Sequence, residues 1–201
     1  MSGKATLRRQ LLAERALLTS EDVQNAAAVL ADAALGLPEL TTARTVAAYV
    51  SIGDEPGTRP LLDALRSRGV RVLLPVLLPD NDLDWAPYEG PERLVAARWG
   101  LLEPAGPRLG PRGVLAADAV LLPGLAVDGR GMRLGRGGGS YDRVLARLSR
   151  AGAHPALVVL LYAHEVVERV PEEPHDHPVH AVVTPAAVLR FSGRAPGAPG
   201  A

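Results

Sequence analysis

Apolar residues recur at two different periods along this chain, and the change of period marks out its elements. From Lys4 to Leu18 the apolar positions Leu7, Leu11, Leu12 and Leu18 approximate one helical stripe. That spacing leaves Lys4, Arg8 and Arg15 elsewhere on the helix surface, with Lys4 and Arg8, four apart, projecting from one face. Thr19 followed by Asp22 has the form of a helix N-cap, and the alanine-rich run to Leu35, closed by Gly36 and Pro38, predicts a second helix. Beyond it the pattern shifts to short β-type runs, Thr45 to Val50, Val70 to Leu74, Ala119 to Leu122 and Leu157 to Leu161. Thr58 and Pro60 open a helix, Pro60 to Arg68, that Gly69 ends. Leu83 to Tyr88 and Ala181 to Val183 are further strand candidates. The alternation predicts an α/β fold: a single domain over residues 1–192, with a mainly parallel central sheet flanked by helices. The arrangement is Rossmann-like and three-layered, entered through an N-terminal helical pair. The Gly/Pro/Ala-rich residues 193–201 read as a disordered tail.

Length and composition narrow the picture. At 201 residues and 47% apolar, the chain can bury one substantial core and is short for two full domains. The 22 basic residues balance the 22 acidic ones, so there is no overall field to favour nucleic acid or a membrane surface. Any anion site must be local. The absence of cysteine excludes disulfides and thiolate metal sites. No apolar stretch has the length of a signal peptide at the N-terminus or of a membrane span elsewhere, which leads us to expect a cytoplasmic protein with no obligate protein partner evident. Among the basic residues Lys4 alone is lysine. It is either a retained compact ammonium for phosphate or a leftover near a frayed terminus.

The strongest chemical signal is AVLLPGLAVDGRGMRLGRGGGSYDRVLARL, a buried-looking strand leading through a glycine-rich loop into an amphipathic helix. Ligands of α/β sheets bind beyond the C-terminal ends of strands. Glycines let backbone N–H groups approach a polyphosphate, and a helix N-terminus adds favourable partial charge. Arg133 and Arg136 supply formal charge, while Asp142, in the first helical turn, could hold Mg²⁺ beside bound phosphates. The loop has no Gly-Lys-Ser/Thr ending, and Gly135, Gly137 and Gly139 are not spaced as a dinucleotide fingerprint. A tight turn is the plain alternative; the two arginines and the aspartate favour phosphate.

The segment R-L-G-R-G-G-G-S-Y-D closely resembles the signature of the 5-formyltetrahydrofolate cyclo-ligases, also called methenyltetrahydrofolate synthetases. The likeness extends, in the family's order, through the N-terminal K-x-x-x-R, Y-V-S-I-G-D-E-P-G-T, W-G-L-L-E-P, L-P-G-L-A-V-D-G-R-G and E-P-H-D-H-P-V. It therefore covers Lys4 to about Thr184. The resemblance implies ATP as co-substrate and Mg²⁺ as cofactor. ATP would phosphorylate the formyl oxygen of 5-formyltetrahydrofolate, folate N10 would attack the activated carbon, and phosphate would leave to give 5,10-methenyltetrahydrofolate with ADP.

Carried over residue by residue, the resemblance implies that Lys4 and Arg8 contact the nucleotide together with Arg133, Leu134, Gly135, Arg136, Gly137, Gly138, Gly139, Tyr141 and Asp142. Arg133 and Arg136 would serve catalysis. Val50, Glu55 and Trp99 would line the folate site with Arg136, Gly137, Gly138, Gly139 and Ser140. A carboxylate at Glu55 suits the donor N–H groups of a pterin, although an exposed loop acid is its plain reading. For Trp99 the plain reading is core packing. Asp142 and Asp176 would hold the metal. The chain departs from the family at Ser140, in place of a common tyrosine, at Val127, in place of phenylalanine, and at Glu165, in place of glutamine. The first of these, Ser140, keeps open a non-catalytic or altered-specificity relative that binds nucleotide or a folate-like ligand. His175, Asp176, His177 and His180 keep open a metal-dependent hydrolase, since imidazoles two apart on a strand share a face.

Overall fold

The computed structural model describes residues 3–173 and 176–191. The chain opens with helices α1 (Gly3–Arg15), α2 (Ser20–Leu35) and the single turn α3 (Pro38–Thr41). Strand β1 (Thr45–Ala47) leads to α4 (Arg59–Ser67), then to β2 (Arg71–Leu77) and β3 (Leu83–Pro87). The hairpin β4 (Leu94–Ala96) and β5 (Leu102–Pro104) precedes β6 (Ala119–Leu122), β7 (Ala126–Asp128) and β8 (Arg133–Leu134). Helix α5 (Ser140–Arg150) and strands β9 (Ala156–Leu160), β10 (Val166–Val167), β11 (Ala181–Val183) and β12 (Val188–Arg190) follow.

The central sheet has the order β12-β11-β9-β6-β1-β2-β3. Its five inner strands are parallel and the two edge strands antiparallel. Parallel strands covered on both faces need apolar residues at every position, which is why Ala119 to Leu122 and Leu157 to Leu161 are unbroken apolar runs. Within β6, Ala119 and Leu121 pack with Leu30 of α2 and Leu61 and Leu65 of α4. Val120 and Leu122 turn the other way, toward Val144, Leu145 and Leu148 of α5. Each fully buried leucine or valine contributes roughly 1.5 to 3 kcal/mol against leaving it in water. Thr19 caps α2 through a capping box with Asp22, as its spacing predicts.

Several boundaries shift. The run Thr45 to Val50 is a strand only to Ala47, although the Ala48 N–H still donates to the Leu73 carbonyl of β2 at 2.8 Å. The first helix stops at Arg15, short of Leu18. The path from β6 to α5 is not a single loop: β7 and β8 intervene, and β7 pairs with both β8 and β10 in a separate three-stranded sheet. Two-residue strands such as β8 and β10 carry too little periodicity to be read from sequence. Helix α1 covers this small sheet, with Leu11 packed among Leu125, Ala126, Met132, Leu134 and Val170. The proposed tail, 193–201, lies outside the described residues.

From β1 the chain first builds outward through β2 and β3, then returns so that β6 lies on the other side of β1. The carboxyl ends of β1 and β6 thus flank a topological switch point, where open α/β sheets leave a crevice.

Candidate active site

A cavity of about 410 Å³ occupies that crevice. Every residue that the sequence marked for the site lines it, apart from Trp99. One side is apolar, formed by Val50, Ile52, Leu77, Leu83, Leu101 and Leu102. The other is cationic and glycine-rich, formed by α1 and residues 133–142.

The cations of α1 do not lie elsewhere on its surface, contrary to the expectation from periodicity. Lys4 donates to Asp176 at 2.7 Å and to Glu173 at 2.9 Å. Burial works to lower the Lys4 pKa, but the hydrogen bonds to Asp176 and Glu173 outweigh it and raise the value. Arg8 Nε donates to the carbonyl of Gly135 at 2.8 Å. Arg15 is buried outright, its guanidinium bidentate on the buried Glu165 at 2.5 and 3.0 Å. Four- and seven-residue spacing puts Lys4, Arg8 and Arg15 on the same inward face as Leu11.

Arg133 is the most deeply set charge of the loop. Its Nη1 donates to the carbonyl of Pro123 at 2.9 Å, and its Nη2 lies 3.5 Å from Asp142 Oδ1. Burial lowers its pKa against the opposing pull of Asp142. Its Nε, like the hydroxyl of Tyr141, is buried with no hydrogen-bond partner. Leaving such donors unmet costs about 1 to 3 kcal/mol each, which is sustained where a ligand supplies the acceptor. Gly137 has φ +94°, and a Cβ there would stand 3.2 Å from Arg8 Cζ. Gly139, at φ +76°, is the N-cap of α5 and brings Ser140, Tyr141 and Asp142 into the helix's first turn, where free N–H groups favour anions.

Glu55 is buried, not an exposed loop acid. Oε2 accepts from the Ile52 backbone at 3.0 Å, and Oε1 lies 3.1 Å from Arg136 Nε. Trp99 departs from its plain reading as a core residue. It is neither in the core nor on the cavity wall: it is 73% exposed at φ +55° in the β4–β5 turn, beside an adjoining hollow that it shares with Ile52, Asp54 and Arg136.

Among the described residues the histidine cluster forms no metal site. His180 Nδ1 accepts the N–H of Leu157 at 2.8 Å, and burial lowers its pKa. His177 is exposed, and His175 lies outside the described residues. Among the described residues no group of three or more His, Cys, Asp or Glu is placed to hold a metal. Asp142 and Asp176 instead line the same cavity, and both act electrostatically on Arg133. Two carboxylates, completed by phosphate oxygens and water, fit Mg²⁺ and not a closed all-protein cage.

Sequence reasoning missed Arg15, Glu165 and Tyr162. A signal was present: Arg15 continues the i, i+4 row of Leu7 and Leu11, where an apolar residue belongs.

A doubly wound α/β sheet, a cation-rich glycine loop at a helix N-terminus and a locked carboxylate beside an apolar wall place this chain among α/β proteins with a cleft at the sheet's switch point. Residues 1–185 match the model of the 5-formyltetrahydrofolate cyclo-ligase family, and the chain belongs to that family. It is similar to the 5-formyltetrahydrofolate cyclo-ligase of Mycolicibacterium smegmatis, 41% identical over 188 residues, covering 91% of this chain and 94% of the relative. The enzyme of the same name from Escherichia coli K12 is 37% identical over 184 residues, covering 88% and 97%. Among solved structures, the Aquifex aeolicus 5,10-methenyltetrahydrofolate synthetase matches with a TM-score of 0.80 at 29% identity, over 97% of this chain and 96% of that one.

Proposed function

We propose that this chain converts 5-formyltetrahydrofolate to 5,10-methenyltetrahydrofolate in the cytoplasm, with ATP as co-substrate and Mg²⁺ as cofactor, releasing ADP and phosphate. The observation that carries this reading is the pairing, across one cavity, of unmet buried donors on Arg133 and Tyr141 with the anchored carboxylate of Glu55. The first half suits phosphate oxygens and the second suits the N–H edge of a pterin.

In the proposed reaction the formyl oxygen attacks the γ-phosphorus and ADP departs with the electron pair of the broken P–O bond. N10 then attacks the formyl carbon and gives up its proton. The C–O bond breaks, phosphate leaves with that pair, and the carbon bridges N5 and N10. An amide-like formyl oxygen is a poor leaving group, and phosphorylation corrects this. Arg133 and Arg136, with Lys4 and Arg8 from α1, surround the phosphates with fixed cations, so positioning and charge stabilisation do the work that a protein nucleophile does elsewhere. Asp142 and Asp176 would hold Mg²⁺, which supplies charge neutralisation on the transferring phosphoryl group. The apolar wall of Val50, Ile52 and Leu77 excludes water that would otherwise hydrolyse the activated intermediate.

Incubation with 5-formyltetrahydrofolate, ATP and Mg²⁺ is expected to generate the absorbance of the methenyl product with matching ADP and phosphate. Folded protein that yields neither product would overturn the assignment. Ser140, on the cavity wall where the family commonly has tyrosine, favours one variation, an altered folate preference. Activity on a variant pterin in place of 5-formyltetrahydrofolate would identify it.

A further inference from the structure

The buried ion pair of Arg15 and Glu165 lies behind the cavity wall and contributes no atom to it. Besides gripping Glu165, Arg15 donates to the carbonyl of Gly124 at 2.7 Å. Gly124 follows β6 and lines the cavity beside Pro123, whose own carbonyl is held by Arg133. One end of α1 is therefore tied to the same turn that seats the deepest cation of the loop. At its other end α1 presents Lys4 and Arg8. A rotation or slide of the helix at Arg15 is carried along a rigid rod to both.

Glu165 has a second duty. Oε2 accepts the backbone N–H of Tyr162 at 3.0 Å, and the Tyr162 hydroxyl donates to the carbonyl of Asp54 at 3.1 Å. Asp54 is the neighbour of Glu55, in the loop whose geometry sets that carboxylate. Arg15 also lies over the Tyr162 ring, 5.8 Å from its centroid. The three side chains thus form one buried knot between the helix that carries two cations and the loop that carries the carboxylate.

We infer that Arg15, Glu165 and Tyr162 are positioning residues for the reaction proposed above, Arg15 and Glu165 seating α1 so that Lys4 and Arg8 reach the phosphates, and Tyr162 fixing the loop that presents Glu55 to the folate. The inference rests on that reading of the cavity, and it assigns a use to Glu165 where the family commonly has glutamine. Three donors converge on the two oxygens of Glu165. A carboxamide would turn its NH₂ toward one of them, so the knot of this chain requires the carboxylate.

The two arms of the knot separate by substrate. Glu165→Gln is expected to raise the KM for ATP about tenfold, the scale of a lost charge-assisted hydrogen bond, and to leave that for 5-formyltetrahydrofolate within about twofold. Tyr162→Phe should do the reverse, raising the folate KM and sparing ATP. In Glu165→Gln, amide hydrogen exchange across residues 3–15 should quicken while that of α5 does not change. A merely structural role would lower the yield of active protein and the maximal rate for both substrates without splitting the two KM values. Equal shifts for both substrates, or none, overturn the inference. Where Glu165→Gln does not purify as folded protein, Arg15→Lys, which keeps the charge and loses the fork, carries the same expectation. If the unsubstituted protein forms no methenyl product, the functional reading falls by itself. The exchange experiment still decides the anchor, since unchanged protection of α1 would refute it.

Discussion

Glu55 and Asp142 are both carboxylates of the same cavity, and their surroundings give them different roles. Glu55 is buried and already accepts from Ile52 and pairs with Arg136. In Glu55→Gln the amide nitrogen must face either a backbone N–H or a guanidinium, and the pterin loses a charged acceptor. We expect the KM for 5-formyltetrahydrofolate to rise roughly tenfold or more, on the scale of a charge-assisted contact of about 1.5 to 3 kcal/mol, with little change for ATP. Steady-state kinetics with each substrate varied in turn measures this; an unchanged folate constant would refute the contact. Asp142 is half exposed, in the first turn of α5, and among the described residues its ion-pair partner is Arg133 at 3.5 Å. Nothing in the core depends on it. Asp142→Asn should therefore keep the melting temperature within a few degrees and nearly abolish turnover. Near-normal turnover at limiting Mg²⁺ would exclude Asp142 as a metal ligand.

The glycine loop shows that adjacent glycines need not be equivalent. Gly137 has positive φ and sits against Arg8, whereas Gly138 has no atom within 4 Å of a built Cβ and no unusual φ. Alanine at 137 is expected to cost about 1 to 2 kcal/mol in backbone strain and to push Arg8 aside, raising the KM for ATP. Alanine at 138 should leave the melting temperature nearly as it was, since its Cβ meets no protein atom and enters the open cavity. Comparable melting temperatures for the two variants would show that the loop rearranges freely. Elements with a clear apolar run or cap were legible beforehand: the unbroken strands β6, β9 and β11, the capped α2, and the turn of α5 carrying Asp142 match their sequence signals to within a residue. The small sheet was not, because β8 and β10 span two residues each and their pairing is set by partners distant in sequence. Arg15 was read as a surface residue because periodicity treats any charge as solvent-facing, and its buried partner Glu165 lies 150 positions away. For Trp99 only the plain reading, core packing, fails: the positive φ of a tight hairpin turn holds it outward, beside the hollow next to the cavity.

Across the whole molecule the acid response should be governed by groups remote from the cavity. Burial pushes the Asp128 carboxyl up, but hydrogen bonds from the backbone of Val170, from the Arg130 side chain and from the backbone of Arg130 and Met132 outweigh it and hold its pKa below the usual 3.8. A folded-state pKa below the unfolded one adds stability that is present above the unfolded value and lost as pH falls through the folded one. His180, whose pKa burial holds below 6.5, acts in the same sense at higher pH, since folding prefers it neutral. Urea unfolding should thus show stability declining modestly below about pH 6.5 and further below about pH 4. Asp128→Asn should be less stable at neutral pH and lose part of the lower limb; parallel curves for the two proteins would refute this origin. The ion pairs of α1 have a further consequence, for the order of synthesis. Lys4 and Asp176 are 172 positions apart, so at about 5 to 20 residues per second the helix waits on the order of ten to thirty seconds for its last partner to leave the ribosome. Through that interval the newborn chain carries a basic helix with neither Glu165 nor Asp176 to receive it. An interrupted polypeptide, however well its early strands have paired, therefore lacks the ion pairs that seat α1 against the cavity.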